Sequence, residues 1–368
     1  MARIFFSMAG EGRGHATRVK AIVEQFSGRH EFTLFAPQDA YALLSSTYAG
    51  TSVRVLRIPG LMFHYSQQKM NYLRTMTDAA TYLWHLNPLV QKLEFMIREE
   101  QPDLVITDFE PALPRAAERC HVPYLSIDHQ HFLVDYDLTA LPLRLKAAAR
   151  AMAPMVRAYY WNQVETVISS FYFPALASGR RHVTQAGVLL RPQILNANPT
   201  REGHLLVYLR KFANPALLEA LRNCGRNVLI YGLGEQLPQQ RLRFLPINEL
   251  TFLDDLTTCD ALISNAGNQL IGEAIYLGKP VLAVPEAKNF EQFINAHFLR
   301  HEGGGDWVLP DRFDKGDLMR FLDQLNSPVF AVNRHRMNGL PVVLSTIERH
   351  LPSTGNRTFQ DVAFQRVA

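Results

Sequence analysis

The stretch Asp260–Ala296, DALISNAGNQLIGEAIYLGKPVLAVPEAKNFEQFINA, reads as strand, tight turn, helix, strand and loop, with polar residues gathered where those elements meet. Ala261-Leu262-Ile263 is a short apolar run that stops at Ser264-Asn265-Ala266-Gly267. Leu270, Ile271, Ala274, Ile275 and Leu277 then recur at helical spacing until Gly278 and Pro280 end the helix. Val281-Leu282-Ala283-Val284 is a second buried strand. A chain that turns at Gly267 leaves backbone N–H groups free at the helix N-terminus, around Asn268, and these suit a phosphate. Glu273 lies six residues after that glycine, in reach of the two hydroxyls of a ribose. Beyond Pro285, Glu291-Gln292 supplies an acceptor and an amide able to grip vicinal hydroxyls. Singly, these are an ordinary turn glycine, an exposed helix carboxylate and a solvated helix start. Jointly, phosphate, ribose and polyol partners in that order describe a site for a nucleotide sugar.

The N-terminus has a matching pattern. Arg3-Ile4-Phe5-Phe6-Ser7-Met8 reads as a first buried strand and Gly10-Glu11-Gly12-Arg13-Gly14-His15 as a glycine-rich turn. From Ala16 a helix carries Val19, Ile22, Val23 and Phe26 on one face. Gly12 and Gly14 let the backbone approach a ligand closely and put His15 at the mouth of the helix. A dinucleotide fingerprint also follows a first strand, but a third glycine is missing where His15 stands. The acidic residue expected about 20 positions on is absent near Ala36-Pro37-Gln38, so a nicotinamide cofactor is excluded. Leu104-Val105-Ile106-Thr107 is a buried-type strand running into Asp108 and Glu110 at its carboxyl end, where ligands gather in open α/β sheets.

The cassette of Gly267, Glu273, Gly278, Pro280, Pro285, Glu291 and Gln292, closed by Asn295-Ala296, resembles the donor-binding half of GT-B glycosyltransferases. It is most similar to the branch containing the lipid II-forming N-acetylglucosaminyltransferase and the UDP-sugar transferases. Gly12-Arg13-Gly14-His15-Ala16-Thr17-Arg18 resembles a bacterial and archaeal subgroup whose first loop reads GxGHxTR. The resemblance spans most of the chain in order and is sharpest at these two motifs. It implies an inverting, metal-independent transferase, with a nucleotide sugar as substrate, UDP favoured, and no separate cofactor. It also implies that Asp108 pairs with His15, which would act as general base with Glu110 in reserve; the alternative is that His15 caps its helix or contacts phosphate and Asp108 caps the helix that follows. Asn265 stands where many relatives place a phosphate-binding His or Arg, so Arg210 or Lys211 would supply that charge. Ile247, in Phe244–Asn248, lies where relatives seat the base. The rivals are an epimerase or hydrolase of sugar nucleotides on the same scaffold, and a non-catalytic donor-binding subunit of a membrane complex.

The rest of the chain fits an α/β protein of GT-B type: two Rossmann-like, doubly wound domains facing each other across a cleft. Apolar strands alternate with helical patterns at Glu31–Phe35, Ser52–Ile58, Tyr124–Ile127, His204–Leu209 and Asn227–Gly232. The polar, proline-containing run Asn196–Gly203 is the best linker. It predicts an acceptor-binding domain over 1–195, a nucleotide-sugar domain over 196–330, and a tail over 331–368 whose helix, around Val342–His350, crosses back to the first. The aromatic-rich stretch from Phe63 to His85 reads as core with an acceptor pocket as the alternative. His129-Gln130-His131 lacks a third metal ligand and reads as structural or as acceptor contact.

A net charge of +4 spread along the chain favours anionic small ligands over a nucleic acid. Three scattered cysteines without ligand spacing fit a reducing cytosol. No apolar run is long enough to span a bilayer, and Met1-Ala2-Arg3 leads directly into a strand rather than a signal peptide. The expected location is therefore cytoplasmic. Leu141–Trp161 is a basic amphipathic helix whose commoner reading is a solvated face; it would lie on the inner face of an anionic membrane if the acceptor hydroxyl belongs to a lipid or cell-envelope glycan.

Overall fold

Strands that are apolar throughout need cover on both faces, and the chain provides it by placing helices between successive strands. The structure, a computed structural model, describes residues 1–10, 13–26, 28–61, 65–66, 69–70, 77–78, 81–82, 84–210, 213–325 and 334–352. Gly12, Lys211, most of the aromatic stretch Phe63–Leu83 and the tail beyond Pro352 lie outside them.

The first half runs β1 (Arg3–Met8), α1 (Arg13–Phe26), β2 (Glu31–Ala36), α2 (Gln38–Thr47), β3 (Arg54–Arg57), and the small hairpin β4 (Tyr65–Ser66) and β5 (Lys69–Met70). It continues through α3 (Leu86–Glu100), β6 (Leu104–Asp108), α4 (Ala112–Arg119), β7 (Tyr124–Asp128), α5 (Phe132–Asp135), α6 (Leu143–Tyr159), β8 (Glu165–Ser169) and β9 (Val183–Ala186). The second half comprises α7 (Pro192–Leu195), β10 (His204–Tyr208), α8 (Pro215–Arg222), β11 (Asn227–Tyr231), β12 (Gln236–Gln239), β13 (Leu242–Leu245) and α9 (Glu249–Thr258). Then come β14 (Ala261–Ser264), α10 (Asn268–Tyr276), β15 (Val281–Ala283), α11 (Phe290–His301), β16 (Gly305–Trp307), α12 (Lys315–Asp323) and α13 (Leu340–His350).

Seven strands form each main sheet, in the orders β3-β2-β1-β6-β7-β8-β9 and β12-β13-β11-β10-β14-β15-β16. All pairings in them are parallel except β12 with β13. Leaving aside β12, both orders are doubly wound, with the direction reversing beside β1 and beside β10. Register sets the chemistry at those two points: Met8 lies opposite Asp108, and Tyr208 opposite Ser264. Ligands bind in doubly wound sheets where the order reverses, at the carboxyl ends of the strands. The expected pair of Rossmann-like domains is therefore what the chain forms.

The sequence reading missed β8, β9, β12, β13 and β16, and β3 is shorter than the expected Ser52–Ile58. Glu165, Gln185, Gln236 and Asp306 interrupt those strands, so their apolar signal is weak.

Two crossing segments join the halves. The chain leaves β9 at Ala186 and reaches β10 through Gly187–Arg191 and α7; it returns through a 3₁₀ turn at Arg334–Met337. The segments touch: Gly339 N–H donates to the Val188 carbonyl at 2.9 Å, and Val188 bridges Asn338. Glycine is required at the contact, because a Cβ on Gly187 would lie 2.3 Å from the Arg336 carbonyl oxygen. A Cβ on Gly272 of α10 would meet Val188 at 2.4 Å. After the return, α13 buries Leu340, Val343 and Ile347 in the core beneath the first sheet, and Arg349 and His350 pair with Glu165 of β8.

The Gly187 contact is with backbone, which cannot rotate away. Gly187→Ala should therefore cost about 1–3 kcal/mol, the range for overpacking. A lower denaturant midpoint with an unchanged slope checks this; an unchanged midpoint would show that the crossing segments separate easily.

Candidate functional site

A cavity of about 820 Å³ lies between the carboxyl ends of the two sheets. From the first half, Gly14 and His15 line it; from the second, Arg210, Ile247, Gly267, Asn268, Glu273, Glu291 and Gln292 do. Residues that the sequence places about 250 positions apart thus share one space.

His15 differs from the expectation of a loop residue. Helix α1 begins at Arg13, so Gly14 and His15 occupy its first turn. Of the glycines before it, Gly10 is needed for packing rather than for ligand approach. A Cβ there would come within 2.6 Å of the Pro37 ring, and one on Gly60 would meet the same ring from another side at 2.5 Å. His15 Nδ1 lies 2.9 Å from Asp108 Oδ1. Arg18, one helical turn further along α1, grips the same carboxylate with both arms: Nε donates to Oδ2 at 3.0 Å and Nη2 to Oδ1 at 2.8 Å. Nη2 is also 2.9 Å from His15 Nδ1. Among the described residues nothing bonds His15 Nε2, and that nitrogen remains for a ligand. Asp108 is 1% exposed. Burial alone would push its carboxyl up, but the charges of Arg18 and His15 outweigh this and hold it below the usual carboxylate value. The sequence motif contained Arg18, and its spacing from His15 puts both on one helix face, but its partner lies 90 residues away.

Glu110 is committed locally. Its carboxylate caps α4, accepting from Ala112 N–H at 2.7 Å and Leu113 N–H at 3.0 Å, and Tyr82 donates to it at 3.3 Å. Burial pushes its carboxyl up despite the two backbone donors.

On the opposite wall α10 starts at Asn268, with Gly267 as its N-cap. Gly267 is not the turning residue, since its φ is −72°. Ala266 takes the left-handed conformation at φ 64°, as Phe109 does after β6 at φ 57°. Asn265 does not line the cavity. Its side chain accepts from Arg210 N–H at 2.8 Å and donates to the Val284 carbonyl at 3.1 Å, so it braces β10 against β15 rather than facing a phosphate. Gln292 uses its oxygen to accept from Glu286 N–H at 2.7 Å. Glu273 is clamped by Arg191, a residue the sequence reading passed over: Nε reaches Oε1 at 2.9 Å and Nη2 reaches Oε2 at 2.5 Å.

A polar seam fixes the walls. Asn268 Nδ2 donates to the Ser169 carbonyl at 3.0 Å, and Gln269 Nε2 to the Leu189 carbonyl at 2.8 Å. Asn295 receives the Tyr172 hydroxyl at 3.0 Å and donates to the Ala266 carbonyl at 3.1 Å. The two nitrogens of His129 each lie 3.1 Å from an oxygen, of Ser169 and of Asn295. His131 instead pairs with Asp128 at 2.8 Å, inside the first half. No cluster of three metal-ligating side chains occurs among the described residues.

Helix α6 spans Leu143–Tyr159. It turns Leu145, Ala149, Ala153 and Val156 into the core and Ala147, Ala151, Met152 and Met155 to the cavity. Leu143 at its start and Trp161 just beyond its end are exposed. No helix among the described residues is long and apolar enough to cross a membrane.

Two doubly wound sheets meeting over one cleft, with the switch point of each turned into it, define the GT-B class of glycosyltransferase architecture. Solved structures share it. MurG of Acinetobacter baumannii superposes with a TM-score of 0.62, 15% identity, and coverage of 95% of this chain and 100% of that one. UGT89C1 of Arabidopsis thaliana, solved with UDP-L-rhamnose, gives 0.63 and 15%, covering 95% and 94%. The chain belongs to Glycosyl transferase family 1, whose profile matches residues 2–326. Among curated proteins, uncharacterised glycosyltransferases of Methanosarcina acetivorans and Methanosarcina mazei are 24% and 22% identical, over 82% of this chain and 82% and 84% of theirs. The protein is a glycosyltransferase.

The Arg18–Asp108 clamp gives a signed expectation. Because the folded carboxyl is depressed, its stabilisation is complete above the ordinary value of 3.8 and is lost as pH falls toward the folded value. Arg18→Met removes the one cation that grips both oxygens of the buried Asp108 among the described residues and should cost about 3–5 kcal/mol at neutral pH. That cost should shrink in acid below the ordinary value, which denaturant titrations at the two pH values will read; an equal cost at both would rule out the charge as its origin.

Proposed function

We propose that this glycosyltransferase moves a sugar from a UDP-sugar to an acceptor hydroxyl in one displacement, with inversion and without a metal ion. The observation that carries the reading is that His15 and Glu273 line opposite walls of one cavity. His15 Nε2 would accept the proton of the acceptor hydroxyl while Asp108 holds Nδ1 and stabilises the imidazolium. The freed oxygen attacks the anomeric carbon from the face opposite the diphosphate. The bond from that carbon to the phosphate oxygen breaks, and its electron pair leaves with UDP. The amide end of α10 at Gly267 and Asn268, together with Arg210, would receive the developing charge. Ribose hydroxyls would go to Glu273, the sugar hydroxyls to Glu291 and Gln292, and the base to the wall at Ile247. Arg210 replaces the cation that Asn265 does not supply.

The apolar face of α6, with Met152 and Met155 turned to the cavity, favours an acceptor whose hydroxyl is carried on an apolar body, as a lipid's would be. A UDP-sugar bound to a neighbour of the same fold supports the choice of nucleotide.

Thermal-shift screening against UDP-, dTDP- and GDP-sugars should single out a UDP-sugar, and UDP release should then depend on an added hydroxyl acceptor. His15→Gln should lower that transfer by about 10² to 10⁴ while leaving donor affinity intact. Undiminished transfer by the variant refutes the base assignment, and UDP release that ignores every acceptor points to a hydrolase.

A further inference from the structure

Glu273 offers no open carboxylate. The residue is 1% exposed, and besides the two arms of Arg191 its Oε1 accepts from Gln269 Nε2 at 3.0 Å. Among the described residues Arg191 is the one cation within ion-pair reach of it. Arg191 sits on the crossing segment just before α7, and its remaining nitrogen, Nη1, lies 3.4 Å from Glu249 Oε1. Glu249 opens α9 and takes Lys20 of α1 at 3.2 Å, and Lys20 in turn lies 3.8 Å from Glu24. Alternating charges, Glu24, Lys20, Glu249, Arg191 and Glu273, thus run from the helix that carries His15 to the helix that begins at Asn268. Beside Glu273, the Oε1 of Gln269 is buried with no partner among the described residues, although Gln269 lines the cavity.

We propose that Arg191 is a specificity-determining placeholder: its fork occupies Glu273 until a donor arrives, and only a ligand with two adjacent hydroxyls can relieve it at both carboxylate oxygens. The proposal rests on the reading that Glu273 receives the donor ribose. A guanidinium presents two parallel N–H donors, and a ribose diol presents two O–H donors to the same pair of oxygens. The exchange needs little movement, because Arg191 already touches Glu249. Moving onto Glu249 keeps the arginine paired, while Lys20 turns to Glu24, so no buried charge is stripped of its partner. The unpartnered oxygen of Gln269 is a further acceptor for an incoming hydroxyl. A deoxyribose brings one hydroxyl where two are required and leaves a dry, unpaired carboxylate oxygen, which is the kind of loss that discriminates strongly.

Calorimetric titration of the full chain with UDP and with 2′-deoxy-UDP tests this. The wild type should prefer UDP by about 10²-fold or more. In Arg191→Met, water enters beside Glu273 and stays on the oxygen that deoxyribose cannot reach, so the preference should fall below about tenfold; Arg191→Lys, with one ammonium in place of a fork, should fall between. A folded Arg191→Met that keeps the wild-type preference overturns the placeholder, and if methionine prevents folding, the same result for Arg191→Lys does so. A wild type without ribose preference, or a Glu273→Gln variant that retains it, overturns instead the assignment of ribose to Glu273.

Discussion

The seam between the sheets is the constraint on which the rest depends. Two cavity walls built on separate sheets form one site only if their spacing is fixed, and apolar contact alone sets distance poorly because it has no direction. Here the apolar part is present: Tyr172 of the first half stacks on Phe298 of the second with ring centroids 4.2 Å apart. Direction comes from buried amides. Asn268 ties the start of α10 to the end of β8, and Asn295 ties the Ala266 carbonyl to Tyr172 and His129. Each such bond, left unmade in the interior, would cost about 1–3 kcal/mol, so few other arrangements of the two halves satisfy these groups together. The same bonds steady the strained turn at Ala266, whose left-handed backbone costs about 1–2 kcal/mol for a residue with a side chain.

The two walls solve one electrostatic problem in the same way. A buried carboxylate is costly unless paired, and each half carries one beside the cavity, Asp108 and Glu273, both 1% exposed. Each is gripped at both oxygens by an arginine, Arg18 on one side and Arg191 on the other. Their surroundings differ, however. Arg18 comes from the helix that carries His15, three residues on, so its clamp moves with the histidine as one unit. Arg191 comes from a crossing segment and has a second carboxylate, Glu249, in contact. The first pair is built to stay and the second has somewhere to go.

This contrast also explains what could be read in advance. Strands such as Leu104–Asp108 and Ala261–Ser264 were legible because buried parallel strands are apolar on both faces, and Gly267 and Glu273 stood out through their spacing along a single helix. His15 and Asp108 were paired only through the family resemblance, since 93 residues separate them. The occupant of Glu273 was not legible. Arg191 lies 82 residues before it, in a stretch that reads as an ordinary end of domain. Asn265 is a related case: the motif shows its position but not its partners, and the neighbouring Arg210 and Val284 backbones use both ends of its amide. Local periodicity reports the strand and helix that carry a side chain, whereas the partner of that side chain is fixed by how remote elements pack.

Helix α6 shows how one segment can satisfy three demands at once. Its leucine and alanine stripe faces the core, a second stripe of alanine and methionine faces the cavity, and Arg150 and Arg157 face water. Seen as sequence, the two apolar stripes merge into one broad face suited to a bilayer. In the fold the second stripe forms a low-dielectric wall of the cavity that His15 also lines. Small alanines leave room there and flexible methionines adapt to what fills it. The stripe that reads as a membrane face in the sequence is thus one wall of the cavity that His15 lines.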